Sequence, residues 1–79
     1  MIQFSRHAER RMKLYHITKN DVKFIIDQGR REISHGEKIS IIHDIGGKFK
    51  YPIKVVGINK EESFLVITAY PFKERKEIK

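Results

Sequence analysis

Gly29 divides the chain into two hydrophobic rhythms. Before it, apolar side chains recur every three or four residues, the spacing of one stripe on a helix. After it they alternate, the spacing of a strand that shows one face to a core. A chain whose period changes once cannot alternate strands and helices; it lays consecutive strands side by side and covers them with the helices it has already made. The expected order is helix, helix, then a meander of three or four antiparallel strands. That is an α+β domain over residues 1–79, with both N-terminal helices packed on one face of the sheet.

The first half carries its own punctuation. Ile2-Gln3-Phe4 suits a very short strand or an anchor. Ser5 is a good N-cap, because its hydroxyl can accept from a backbone N–H one turn on. From there to Tyr15-His16 nothing breaks a helix, and Phe4, Ala8, Met12 and Tyr15 form a stripe that Leu14 widens. Thr18-Lys19-Asn20-Asp21 reads as a capping box with Asp in the Glu position. The second helix runs to Gln28 with Val22, Ile25 and Ile26 on one face, and Gly29 supplies a left-handed stop. Phe24 points away from that stripe and is a candidate for self-association.

In the second half, Arg31 to His35 is a short polar edge strand, followed by a turn at Gly36-Glu37-Lys38. Ile39, Ile41, His43 and Ile45 share a face of the next strand, and Gly46-Gly47 signals a hairpin. The third strand spans Phe49 to Ile58, with Pro52 implying an edge position or a bulge. Asn59 to Glu62 is a loop. Ser63 to Tyr70 is the most hydrophobic stretch and should be central. Strict alternation puts Leu65, Ile67 and Ala69 on one face and Phe64, Val66, Thr68 and Tyr70 on the other, and Pro71 ends the strand. The tail from about Lys73 to Lys79 mixes both signs of charge and should be frayed.

Composition narrows the function. A 79-residue chain buries a modest core, and self-association is one way to enlarge it. The absence of cysteine removes disulfides and thiol-ligated metals and fits a cytoplasmic protein. No apolar run approaches a membrane span, and the start lacks the regions of a signal peptide. The net charge of +7 points to a polyanion such as nucleic acid, or to a lysine-rich surface of the thermophile kind. Cations concentrate between Arg6 and His16, where Arg6, Arg10, Arg11, Lys13, His7 and His16 face Glu9 alone.

His7 and Arg11 are the anomaly. They stand one above the other on the first helix, inside the arc between Leu14 and the Phe4/Tyr15 stripe. An imidazole and a guanidinium there either bond to the sheet or line a cleft. There is no phosphate-cradling glycine loop, no His-Glu-x-x-His, no nucleophile elbow and no carboxylate cluster. His35 and His43 without a third ligand make a weak zinc site. Nothing calls for a cofactor or a metal. Cleaving RNA needs neither: a base takes the 2′-OH proton, cations steady the phosphorane, and an acid protonates the leaving oxygen. His7 and Arg11, with Thr68 and Tyr70 on the last strand, are the right residue types. The bland alternative is that they only pin the helix to the sheet.

The motifs also resemble a known family. Phe4-Ser5-Arg6-His7-Ala8, Arg11-Met12, Ile17-Thr18-x-x-Asp21-Val22 and Val66-Ile67-Thr68-Ala69-Tyr70-Pro71 match small bacterial and archaeal domains of unknown function. Their pattern is roughly S-x-H-A-x-x-R-M-x-x-R-G-I-[ST], closing on V-I-T-x-Y. That family is similar in layout to the BrnT and RelE toxins of toxin–antitoxin pairs, whose fold is shared with barnase-like, EndoU-like and colicin-like ribonucleases. The resemblance implies a RelE/BrnT-like fold and a metal-independent endoribonuclease with His7, Arg11, Thr68 and Tyr70 as its site. Arg6, Arg10, Lys13 and His16 would bind RNA, and a small acidic antitoxin would be the protein partner. The chain departs from the pattern at Tyr15-His16, where the family has Arg-Gly; His16, Arg10 or Lys13 would then replace the lost arginine. The competing reading is a non-catalytic RNA- or protein-binding module. A third is an antitoxin-like or structural partner that packs through Phe24.

Overall fold

The computed structural model describes residues 1–33 and 36–73. The expected reach of the edge strand to His35 and the fraying of the tail beyond Lys73 lie outside those residues. The elements are β1 (Ile2–Phe4), α1 (Arg6–Tyr15), α2 (Lys19–Gln28), β2 (Arg30–Ile33), β3 (Lys38–His43), β4 (Ile53–Lys60) and β5 (Ser63–Pro71). The class is α+β, but the sheet departs from the expected meander. It has five strands in the order β1-β5-β4-β3-β2, and β1 runs parallel to β5. Three residues at the N-terminus thus cover the edge of β5, which was expected to be central; β5 is an interior strand, and β4 holds the centre.

Both helix starts form as local chemistry dictates. The Ser5 Oγ accepts from Ala8 N–H at 3.0 Å, and in α2 Thr18 and Asp21 close a reciprocal capping box. The helix ends are less obvious. Gly29 is not a left-handed stop; its φ is −79° and its ψ 171°. Glycine is needed there for space: a Cβ would lie 2.6 Å from the Ile25 carbonyl oxygen and 2.7 Å from the Ile41 side chain. The left-handed cap falls on His16 instead, with φ 62°, where the N–H groups of His16 and Ile17 bond back to Lys13 O and Met12 O. His16 thus holds a left-handed conformation in which its Cβ is disfavoured and glycine would be at ease.

The core is one cluster. Ala8, Met12, Ile17, Val22 and Ile25 from the helical half meet Ile41, Ile53, Val55, Phe64, Val66 and Ala69 from the sheet. Ile41, Val55 and Ala69 lie in register across β3, β4 and β5, so α1 and α2 cover the same face. The chief partner of α1 is β5, whereas α2 lies over β3 and β4.

Val66 and Ala69 share that face although they are three apart, which strict alternation forbids. Val56 pairs with Thr68 and Gly57 pairs with Val66, leaving Ile67 as an extra residue in a β-bulge. The expected grouping of Thr68 and Tyr70 with Phe64 and Val66 is therefore wrong; beyond the bulge the faces exchange. Gly57 lies opposite the bulge because a Cβ would come within 2.5 Å of the Leu65 carbonyl oxygen and the Phe64 ring. Other boundaries also shift. Strand β4 starts after Pro52 rather than at Phe49, and it continues through Asn59-Lys60, which were expected to be loop. Gly46-Gly47 belongs to a longer connection, 44–52, rather than to a tight hairpin.

Candidate nucleic-acid interface

Helix α1 is held to the sheet at its first residue. Ser5 N–H extends the parallel β1–β5 ladder to Val66 O at 3.0 Å. The Ser5 hydroxyl donates to Ile67 O, the carbonyl of the bulge residue, also at 3.0 Å. One serine therefore caps the helix and ties it to the bulge residue of β5.

From that anchor α1 buries little. Ala8 and Met12 are buried and Tyr15 is half-buried, while Leu14 is 60 % exposed. Leu14 thus does not widen the packing stripe. A helix lying chiefly over one strand needs only a narrow apolar seam, and the flank beyond it faces solvent. His7 and Arg11 occupy that flank and are exposed, as are Arg6, Arg10, Lys13 and His16. The six cationic or imidazole side chains form a solvent-facing ridge. Glu9, the one acid on the helix, faces Lys19 of α2 at 3.9 Å. Among the described residues the other ion pair is Asp21 with Lys48, so none of the ridge cations is neutralised there by a carboxylate.

Thr68 and Tyr70 are half-buried on β5, opposite Val56 and Lys54 of β4. They flank the buried Ala69 and so point to the sheet face that the helices leave uncovered. The structure brings the two elements together, α1 against β5, but among the described residues no hydrogen bond joins His7 or Arg11 to Thr68 or Tyr70. The bulge is the reason the last strand presents these two side chains away from the helical layer.

The imidazole of His43 is taken up by packing: its ring meets Phe24 edge-on at 5.3 Å. Phe24 is still 46 % exposed. Among the described residues no three His, Asp or Glu side chains gather as a metal site would require. A cavity of about 410 Å³ lies at the β2–β3 edge, lined by Gln28, Arg30, Glu32, Ile42, His43, Asp44 and Pro52. Its one arginine is matched by two carboxylates, a poor arrangement for a polyanion. No helix among the described residues is long and apolar enough to cross a membrane.

Sequence reasoning missed a second basic group. At one end of the sheet Lys50 and Lys73 both lie over the Tyr51 ring, at 5.9 and 5.5 Å, and Lys54 lies over the Phe72 ring at 4.8 Å. A signal was present: Lys48-Phe49-Lys50-Tyr51-Pro52 and Tyr70-Pro71-Phe72-Lys73 both interleave lysine with aromatic residues. That the two segments meet depends on strand register, which local pattern does not reveal.

Comparison with protein-family models, curated proteins and solved structures finds no significant match. The resemblance drawn from the terminal motifs therefore rests on those motifs alone.

Proposed function

We propose that this chain is a toxin-like, metal-independent endoribonuclease of RelE/BrnT-like layout that engages RNA through the exposed ridge of α1. The observation that carries the proposal is the ridge itself. Arg6, Arg10, Arg11 and Lys13 are solvent-facing, and the two ion pairs among the described residues, Glu9 with Lys19 and Asp21 with Lys48, involve none of them. Folding does not need these charges, and a phosphate backbone would use them. In this reading Arg11 grips the scissile phosphate with its planar fork, and His7, one turn away, takes the proton from the attacking 2′-OH while the leaving 5′-oxygen is protonated from solvent. Thr68 and Tyr70, which the bulge presents on the opposite face of the sheet, stand outside this site. The activity would be cytoplasmic and restrained by a small acidic antitoxin.

One observation favours a second reading, a non-catalytic RNA- or protein-binding module: no hydrogen bond among the described residues orients the His7 ring. General bases are usually held by a partner. The experiment that separates the two is cleavage of a labelled RNA in EDTA. The catalytic reading expects products ending in a 2′,3′-cyclic phosphate, and a loss of about 10²–10⁴ in rate for His7→Ala with affinity retained. RNA bound but left intact by the wild-type chain selects the binding module.

A further inference from the structure

We infer that the Tyr51–Phe72 end of the sheet is a stacking platform for unpaired bases of single-stranded RNA. This inference rests on the proposal that the chain engages RNA.

The platform is assembled by the sheet. Phe72 N–H donates to Pro52 O at 2.7 Å, which clamps the end of β5 to the connection leading into β4. That bond brings together the two lysine–aromatic segments, so that three ammonium groups sit over two rings. Lys54 also pairs with Tyr70 across the ladder, which extends the surface onto the uncovered face of the sheet. Tyr51 is 37 % exposed, and Lys50 and Lys73 are exposed. Lys48 belongs to a different device. Its Nζ is bound to Asp21 at 2.8 Å and serves as a strut to the start of α2.

Cations over aromatic faces choose the ligand. A ring face attracts an ammonium through its quadrupole, and a nucleobase competes for the same face by stacking. When a base takes the face of Tyr51, Lys50 and Lys73 swing off the ring to the phosphates on either side of that nucleotide. The exchange gives each lysine a better partner and leaves no charge stranded. An acidic peptide would engage the lysines but gain nothing from the rings. A duplex would offer phosphates but keep its bases stacked.

The test measures binding of a fluorescent twelve-residue uridine oligomer, of its abasic ribose-phosphate counterpart and of an acidic peptide, over a range of salt concentrations. Tyr51→Ala and Phe72→Ala should each weaken oligouridine binding about tenfold, with the salt slope unchanged because no phosphate contact is removed. Tyr51→Phe, which keeps the ring, should bind like the wild type. Thermal unfolding confirms that each variant is folded, and Tyr51, in an exposed connection, is the safer of the two positions. Wild-type affinity for Tyr51→Ala, or equal wild-type affinity for the abasic oligomer, overturns the platform while leaving the α1 ridge standing. A wild-type chain that binds the acidic peptide but neither oligomer overturns the ridge and the platform together.

Discussion

The two helices are the same length and both are N-capped, yet they spend their polar residues in opposite ways. In α2 the polar groups serve the fold. Asp21 closes the capping box with Thr18 and receives Lys48 from the connection between β3 and β4, while Phe24 packs against the His43 ring. At α1 this role falls to the N-cap Ser5 and to Glu9, which faces Lys19 of α2, while the arginines and His7 face solvent. Charge that a fold recruits is paired and partly buried. Charge that a fold leaves at its surface, concentrated on one helix, is available to a ligand.

The largest effect should come from the buried side of α2. Ile25→Ala empties a site with no solvent exposure and should cost about 3 kcal/mol, read by denaturant unfolding. A cost below about 1 kcal/mol would mean that α2 is not the structural helix. Next comes the α1 anchor. Ser5→Ala removes both the cap and the bond to Ile67 O, so a loss of about 2 kcal/mol is expected. Ser5→Thr, which keeps the hydroxyl, should recover most of it.

Asp21 sharpens the comparison through pH. Partial burial pushes its carboxyl up, but hydrogen bonds from Lys48 and Thr18, with the Lys48 charge, outweigh this and hold it below its ordinary value of 3.8. Because the folded-state value is the lower one, the carboxylate stabilises the fold above pH 3.8 and this contribution fades as pH falls through the folded-state value. Asp21→Asn should cost about 1 kcal/mol at pH 7 and converge with the wild type in acid. Parallel curves at all pH values would show that the Lys48 strut contributes nothing. The smallest change, and the one with opposite sign, is His16→Gly. Relieving a Cβ at φ 62° should raise stability by up to about 1 kcal/mol.

These sites also show where the sequence was legible. Both caps were, because a serine or threonine bonding two or three residues ahead is local chemistry. The switch at Gly29 was, since a period of 3.6 and one of 2 cannot be confused over ten residues. The parallel pairing of Ile2–Phe4 with β5 was not, because it joins residues some sixty positions apart and three residues carry no period. Nor was the bulge at Ile67; an isoleucine inserted among Leu65, Val66 and Ala69 looks like ordinary alternation until Gly57 is seen opposite. The candidate site inherits this division. The cations of the first helix could be read directly from the chain, whereas the face on which Thr68 and Tyr70 appear depended on the bulge.

The central claim is that the α1 ridge is dispensable to the fold and essential to RNA binding. It is tested most directly by measuring single-stranded RNA affinity against salt, with thermal stability alongside, for the wild type and for a variant carrying Arg6→Gln, Arg10→Gln, Arg11→Gln and Lys13→Gln. The wild-type log K should fall linearly with log[salt], with a slope of about −0.7 for each phosphate engaged. The variant should lose most of that slope and affinity, with stability changed by no more than about 0.5 kcal/mol. Equal RNA binding by the two chains, or a stability loss as large as that of Ile25→Ala, would contradict the account.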